Sequence, residues 1–262
     1  MKYIPKQEVE KINYDIEHPL RNFITLVTAA IVFACGLVFI FGAIGEKLLL
    51  AIGPEYEAKI FSSFSFPHDA VLPEADKILG KLIGAASKKY KVSILCEEQP
   101  NAFAFPGNTI VVTSGLLKLV STENALAFVL GHEYGHFHHR HHLSGIGFAL
   151  GASAALKLAG LDAVALAAFA LPQKLIARKF NRTQEQAADK ISIDLVAKVY
   201  GGLNGATEFF EKMMADEIKS NELALFSTHP VTNDRIEEIK KNSVNSNQLL
   251  PLQIDLKKLC PE

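Results

Sequence analysis

The longest apolar stretch of the chain lies near its N-terminus, where residues 22–45 contain no charged side chain. A helix of this length spans about 36 Å, and roughly 20 residues suffice to cross the hydrocarbon core of a bilayer. Because backbone groups in lipid must pair internally, the pattern predicts a transmembrane helix over 22–45. A buried core helix, a cleaved signal peptide and lipidation at Cys35 are the alternatives.

Positive charge is unevenly distributed around this predicted span. The basic residues before it are Lys2, Lys6, Lys11 and Arg21, and those that follow it closely are Lys47 and Lys59. This bias favours a cytoplasmic N-terminus, and it places the rest of the chain on the extracytoplasmic (periplasmic) side. Cys96 and Cys260 can form a disulfide in such a compartment, although the sequence does not require it.

The remaining pattern divides the chain into a tail (1–21), a juxtamembrane linker (46–66) and one large domain (67–262). Apolar spacing and turn signals predict helices over 73–86, 182–199, 202–219 and 231–241, and strands over 91–96, 102–105 and 109–113. Ser114 is expected to cap a short helix, and Ser121 or Thr122 a longer one. Residues 249–259 form a last strand or a docking segment. These elements predict an α+β fold that is mostly helical with a small β-sheet.

A second apolar stretch over 143–171 contains Lys157 and Asp162, and its uncharged pieces are too short to cross a bilayer alone. The metal-ligand candidates described next lie on both sides of this stretch, so an odd number of crossings would place them in different compartments. We therefore expect a helical hairpin over 143–171 that packs on the domain or enters the membrane interface.

Composition narrows the class of protein. Apolar residues make up 49% of the chain and charged residues 21%, which excludes a disordered protein. The formal net charge of −1 gives no reason to expect a nucleic-acid partner. Three cysteines cannot build a disulfide framework or a cysteine-type zinc site. Polypeptide substrates and membrane lipid are the expected partners, and the sequence does not indicate an oligomeric state.

A metal-binding pattern lies in the helix predicted after residue 122. His132 and His136 are four positions apart, so their imidazoles share one helix face. This spacing suits two nitrogen ligands of a tetrahedral Zn²⁺. Glu133 lies beside them, where a carboxylate can take the proton of an attacking water. A pair of surface histidines is the alternative, but the surrounding segment ALAFVLGHEYGHF is apolar, and buried polar groups there need partners.

A third ligand is expected farther along the chain, because a catalytic zinc takes three protein ligands and keeps one position open. Glu185 and Asp189 are again four positions apart in a predicted helix. Glu185 is the candidate third ligand, so His132, His136 and Glu185 are expected to hold one Zn²⁺ per chain. Asp189 can accept a hydrogen bond from the outer nitrogen of a ligand histidine and fix its tautomer. A solvated acidic face is the alternative for this pair.

The ordered set of motifs resembles that of the gluzincin metallopeptidases, and more narrowly the membrane-associated family that includes HtpX and the CAAX prenyl protease type. The segments that carry the resemblance are HEYGH with Glu185-x-x-x-Asp189, Asn101–Gly107, Thr113–Leu117, Arg140-His141, and Thr228-His229-Pro230 with Arg235. They cover residues 67–241, and the resemblance implies a zincin-like metallopeptidase domain. Two features depart from the family: Asn108 replaces the second glycine of a Pro-Gly-Gly turn, and HtpX carries two N-terminal spans rather than one.

Further roles follow from this resemblance. His229 is expected to be catalytic by stabilising the oxyanion of the tetrahedral intermediate, and an ordinary histidine at a helix start is the alternative. Arg235 is expected to anchor the wall of the site or to orient the loop of His229, with a surface salt bridge as the alternative. The strand that begins at Asn101, Ala102 and Phe103 is expected to pair with the substrate backbone, unless it is an ordinary hairpin strand.

A cluster of histidines follows the motif. Its members are His138, His139, His141 and His142. A second metal site is one interpretation, and His139 lies on about the same helix face as His132, close to the predicted ligands. We favour side chains that face solvent or lipid headgroups and benefit from the helix dipole.

The sequence therefore predicts a single-pass, membrane-anchored zinc metalloendopeptidase. By resemblance, it acts on unfolded, damaged or membrane-proximal polypeptides in protein quality control. A non-proteolytic chaperone or assembly factor is the alternative, as is a latent enzyme whose cleft is covered by 143–171. A prenyl-peptide protease is a third class, but it needs an enclosed membrane chamber, which one span cannot build.

Overall fold

The computed structural model describes residues 18–61, 70–161, 180–217, 229, 233–242 and 248–260. The predicted second arm of the hairpin (162–171), most of the predicted tail (1–17) and the end of the predicted linker (62–66) lie outside these ranges. The described residues are mostly helical and contain one small mixed sheet, which confirms the predicted fold class.

Strands occupy the first part of the domain, and helices dominate after it. The helices are α1 (Pro19–Ala51), α2 (Pro54–Phe61), α3 (Pro73–Ile83), α4 (Ser114–Leu119), α5 (Glu123–His138), α6 (His141–Leu158), α7 (Arg182–Tyr200), α8 (Glu208–Glu217), α9 (Asn233–Lys241) and α10 (Leu256–Leu259). The strands are β1 (Ala70–Val71), β2 (Lys91–Leu95), β3 (Ala102–Phe105) and β4 (Thr109–Thr113).

Helix α1 is longer than the apolar run that predicted it. It has 33 residues and continues six positions past 45 into the predicted linker. No residue in its most apolar 18-residue segment is buried, and its length and composition are those of a helix that can cross a membrane. Pro19 occupies its first turn, where the missing N–H needs no partner.

Four glycines bring α1 and α6 into close contact. Gly42 and Gly45 of α1 face Phe148 and Gly147 of α6, and the backbone of Gly151 lies against Phe41. Helices that approach through small residues pack tightly, as they do in membranes. Helix α6 therefore corresponds to the first arm of the predicted hairpin and runs antiparallel along the C-terminal half of α1, while the complete hairpin stays a prediction.

Substituting Gly151 with alanine tests this contact. A Cβ at Gly151 of α6 would overlap the carbonyl group of Phe41, whereas a Cβ at Gly36 of α1 would have no neighbour within 4 Å. We expect Gly151→Ala to lower the free energy of unfolding by about 1–3 kcal/mol, measured by thermal unfolding of the full chain in detergent. Gly36→Ala is the matched control and should melt like the native chain. Equal melting temperatures for the two variants would mean that α1 and α6 do not pack in this way.

The sheet has the order β1-β2-β4-β3, with β2 parallel to β4 and the other neighbours antiparallel. The predicted hairpin of β3 and β4 is confirmed, and Phe103 lies opposite Val111. Its turn contains Gly107 (φ 91°) and Asn108 (φ 65°), so asparagine does tolerate the left-handed conformation that the family's glycine would adopt. Strand β3 forms one edge of this sheet and β1 the other, among the described residues.

Several element boundaries differ from the sequence prediction. Thr113 rather than Ser114 caps α4, because its hydroxyl, at the end of β4, accepts the N–H of Leu116. Thr122 is the residue that caps α5, the metal-bearing helix. The helix predicted over 202–219 begins only at residue 208, because Gly205 has a positive φ (85°) that an α-helix does not accommodate.

The C-terminal segment docks rather than forming a strand of the sheet. The N–H of Glu123 donates to the carbonyl of Leu250 (2.7 Å), and that of Leu252 donates to Ser121 (3.0 Å). A disulfide between Cys96 and Cys260 then ties the end of the chain to the residue after β2. The segment thus fixes the start of α5, which crosses the core.

Helix α5 is buried along most of its length and packs against α3, α7 and β3. Phe128 and Leu130 have no exposed surface, so burial rather than amphipathic spacing stabilises this helix. Gly131 and Gly135 allow the close approach of α7, since a Cβ at either would collide with Ser192 or Ala188. This approach brings the first turn of α7 to the histidines of α5.

Candidate metal centre

The last two turns of α5 present the predicted histidines on one face. The Nε2 atoms of His132 and His136 lie 3.1 Å apart. Both side chains are buried, as is Glu133 between them in sequence. The four-residue spacing therefore produces the arrangement of two neighbouring imidazoles that it predicted.

Glu185 enters this face from the first turn of α7. A capping box formed by Asn181 and Gln184 fixes where α7 begins and hence where Glu185 points. Its Oε1 lies 3.3 Å from His136 Nε2, and its Oε2 lies 3.5 Å from His132 Nε2. The structure thus brings together the three residues that we predicted as ligands.

His229 lies in the same cluster, closer to it than the sequence suggested. Its Nδ1 is 3.2 Å from His132 Nε2 and 3.1 Å from Glu185 Oε1. Its Nε2 is 3.8 Å from Glu133 Oε1. Ligand atoms of His132, His136, Glu185 and His229 all lie within 4.8 Å of one another, which is close enough for one metal ion.

The donor set fits Zn²⁺. Asp189 Oδ1 accepts a hydrogen bond from His132 Nδ1 (2.8 Å), so the proton of a neutral imidazole would lie on Nδ1 and the lone pair of Nε2 would be directed into the cluster. Imidazole nitrogens and one carboxylate are the ligands that zinc takes in hydrolytic sites. Three ring nitrogens and one carboxylate converge on one point, an arrangement that a divalent cation would stabilise.

The protonation of these groups follows from burial and neighbouring charge. Burial alone would raise the pKa of Glu185, but His229 and His132 hold it well below its usual range, so the carboxylate is ready to bind a cation. Burial lowers the pKa of His136 well below its ordinary value and keeps the imidazole neutral. Burial also raises the pKa of Glu133, which makes its carboxylate a better proton acceptor.

Asp189 and Arg235 support the ligands from behind. Asp189 accepts hydrogen bonds from His132 and from Arg235 Nε (2.6 Å) and Nη2 (2.8 Å). Arg235 Nη1 also lies 2.7 Å from Glu185 Oε2. Because Arg235 is only 4% exposed, the structure places it in the wall of the site and not in a surface salt bridge.

Strand β3 passes beside the centre. The N–H of Ala104 donates to the carboxylate of Glu133, so this amide points away from β4. The N–H of Thr113 donates to the carbonyl of Asn101 (3.0 Å), and the N–H of Asn101 donates to Thr113 Oγ1 (2.8 Å), so the backbone of Asn101 points toward β4. The two-residue period then turns Ala102 the same way as Ala104. Of the predicted substrate-binding residues, Ala102 therefore has backbone N–H and C=O groups that point away from β4. The backbone groups of Asn101 and Phe103 point toward β4. The sequence did not identify Ala104 as part of the site, because only the pairing of β3 with β4 determines which residues of β3 have backbone groups that point away from the sheet.

The four histidines at positions 138, 139, 141 and 142 differ in burial, which the sequence did not reveal. His138 and His139 are exposed, as favoured, so the placement of His139 beside the ligands is wrong. His141 instead contacts His136 (Nδ1 to Nδ1, 3.0 Å), and His142 is buried. A left-handed Arg140 (φ 57°) redirects the chain between α5 and α6 and causes this difference. No second group of metal ligands occurs among the described residues.

Comparisons with known proteins agree with this geometry. Residues 74–243 match Peptidase family M48. The chain is 31% identical over 171 residues to the mitochondrial metalloendopeptidase OMA1 of Schizosaccharomyces pombe, covering 63% of this chain and 51% of that protein. It is 31% identical over 169 residues to the metalloprotease LoiP of Escherichia coli, covering 62% and 65%. The beta-barrel assembly-enhancing protease of Escherichia coli is 25% identical over 230 residues, covering 81% and 46%.

The chain spans between about half and two thirds of the length of these relatives. The matches support the wider metallopeptidase resemblance, and the narrower one to the HtpX and prenyl protease type stays a prediction. The family match covers the two ligand-bearing helices, α5 and α7, as well as Arg235 on α9. The chain therefore belongs to peptidase family M48, whose members are zinc-dependent metallopeptidases.

Proposed function

We propose that the protein is a membrane-anchored zinc metalloendopeptidase that cleaves unfolded or membrane-associated polypeptides in protein quality control. The observation that carries this proposal is the convergence of His132, His136 and Glu185 around one point, with Glu133 beside them. The relatives named as metalloendopeptidase and assembly-enhancing protease support the reaction class. Zinc, when bound by these three ligands, would polarise the scissile carbonyl and acidify a water molecule.

The residues of the chain have separate roles in this reaction. Glu133 takes the proton of the attacking water and then donates it to the leaving amine. The outward backbone groups of Ala102 and the carbonyl group of Ala104 pair with the substrate as an added strand, while the N–H of Ala104 donates to Glu133. His229 Nε2 is buried and makes no hydrogen bond with the described residues, so it can donate to the oxyanion that forms nearby. Asp189 and Arg235 hold His132 and Glu185 in place.

The location of the domain follows from two further observations. The disulfide between Cys96 and Cys260 is typical of oxidising compartments, and the basic residues before α1 favour a cytoplasmic N-terminus. Both support an extracytoplasmic catalytic domain. Since α6 runs along the C-terminal half of α1, we further propose that its apolar surface contacts lipid beside that helix.

A latent enzyme is the second candidate, and the burial of the centre favours it. His132 is 5% exposed, and Glu133 and His229 are each 2% exposed, so little of the centre is open to solvent. The described part of the predicted covering segment does not close the site, because α6 packs on α1. Residues 162–171 lie outside the described ranges.

Metal removal separates these candidates. We expect the full chain, purified in detergent, to bind about one zinc and to cleave casein, because the described ligands form a single centre. Chelation should abolish cleavage, and one equivalent of zinc should restore it. Bound zinc without cleavage would support the latent or non-proteolytic candidate. Failure to bind zinc would refute the ligand assignment and the proposed function together.

A further inference from the structure

A buried carboxylate links α2, which lies in the predicted juxtamembrane linker, to the turn of residues 139–142, where α5 ends and α6 begins. Glu57 is 4% exposed, although its neighbours Glu55 and Tyr56 are exposed. Its Oε1 accepts a hydrogen bond from His142 Nε2 (2.6 Å), and its Oε2 accepts one from Arg140 Nη2 (3.3 Å). A buried carboxylate is costly unless it is paired in this way, so the cluster requires all three side chains.

The same turn touches the ligand His136 at two points. His142 Nδ1 lies 3.4 Å from the carbonyl oxygen of His136, and His141 Nδ1 lies 3.0 Å from its Nδ1. The ring and the backbone of this ligand are therefore both contacted by residues of the turn between α5 and α6. Since His142 is itself fixed by Glu57, the position of His136 depends on a residue of α2.

The end of α1 belongs to the same cluster. Arg140 Nη2 also lies 3.4 Å from the carbonyl oxygen of Leu49, in the last turn of α1. This contact adds a second connection between the proposed anchor and the turn. A helix that served only as a spacer would need no hydrogen bond to the residue that follows the metal-bearing helix.

We propose that Glu57 is a positioning residue for the metal ligand His136 and acts through His142 and Arg140. Helix α2 then contributes to the geometry of the metal centre. Glu57 does not contact His136 directly but acts through the residues of the turn. Its proposed effect is therefore on the position and orientation of the His136 ring. The catalytic consequence rests on the proposed function, whereas the effect on the metal site stands independently of it.

The test uses the full chain in detergent with Glu57→Ala, Glu57→Gln and the control Glu55→Gln, an exposed residue of the same helix. Loss of a partner behind a metal ligand typically weakens metal affinity or activity about 10–100-fold. We expect Glu57→Ala to weaken zinc binding by about tenfold and to change the visible spectrum of the cobalt-substituted protein. Its kcat for casein should fall by about 10–100-fold, with KM little changed. Glu57→Gln should shift each quantity less in the same direction, and Glu55→Gln should match the native chain.

A folded Glu57→Ala variant with native zinc affinity and cobalt spectrum would overturn the proposal, even if its kcat fell. Circular dichroism and thermal unfolding identify folded variants. If Glu57→Ala does not fold, the isosteric Glu57→Gln decides by the same two metal readouts. If the native chain fails to cleave casein, the proposed function fails, but zinc affinity and the cobalt spectrum still decide the role of Glu57.

Discussion

Replacing Glu133 with glutamine is expected to slow casein cleavage by about a thousandfold while leaving zinc bound. Glutamine keeps the shape of the side chain and can still accept the N–H of Ala104, but it cannot take a proton from water. The ligands His132, His136 and Glu185 are unchanged, so metal content should stay near one ion per chain. Separate measurement of zinc and of kcat distinguishes a lost base from a lost metal.

Glu98→Gln is the matched control for this substitution. Glu98 is an exposed glutamate paired with Lys118 on the surface, and its loss should change neither zinc content nor kcat. A Glu133→Gln variant that retains more than about a tenth of the native kcat would show that another group accepts the proton. A variant that loses zinc would show that Glu133 stabilises the ligands rather than the reaction.

Removal of the disulfide should have the largest effect on stability. Cys96 and Cys260 are separated by 164 positions, and closing a loop of that length stabilises the folded state by about 5 kcal/mol in the chain-entropy account. Most domains have a free energy of unfolding of only about 5–15 kcal/mol. The double variant Cys96→Ser, Cys260→Ser should therefore melt about 10–20 °C below the native chain.

Thermal unfolding in detergent, with and without a reducing agent, measures this effect. Reduction should lower the melting temperature of the native chain toward that of the double variant, and it should leave the double variant unchanged. Cys35→Ser is the control, because Cys35 is exposed on α1 and forms no disulfide. Equal melting temperatures for the native chain and the double variant would mean that the bond does not stabilise the fold.

The sequence predicted those parts of the centre whose positions depend on residues within one helix or turn. His132 and His136 lie one turn apart on a helix, and a capping box fixes where Glu185 stands on α7. Turn residues likewise fixed the β3–β4 hairpin, since Gly107 and Asn108 adopt the positive φ angles that the turn needs. In each case the determining residues are close together in the sequence.

The parts that the sequence did not predict depend on contacts between distant segments. The role of His142 requires Glu57, which is 85 positions away. The burial of Arg235 depends on the approach of α9 to Asp189. The direction of the Ala104 amide depends on which edge of β3 pairs with β4. No periodicity within a single segment carries this information, so these residues looked like surface charges or ordinary strand positions.

The glycine contacts between α1 and α6 have a consequence for how substrates would be selected. Helix α6 begins three positions after the end of the metal-bearing helix, and it is fixed to α1 through backbone contacts. For a protein whose α1 crosses a bilayer, the metal centre would stand at a set height and tilt above the lipid. A peptidase on a flexible tether can reach peptide bonds at many distances from the bilayer. A rigidly held centre would reach only bonds at one distance, so the distance of a scissile bond from the bilayer would matter more than the residues around it.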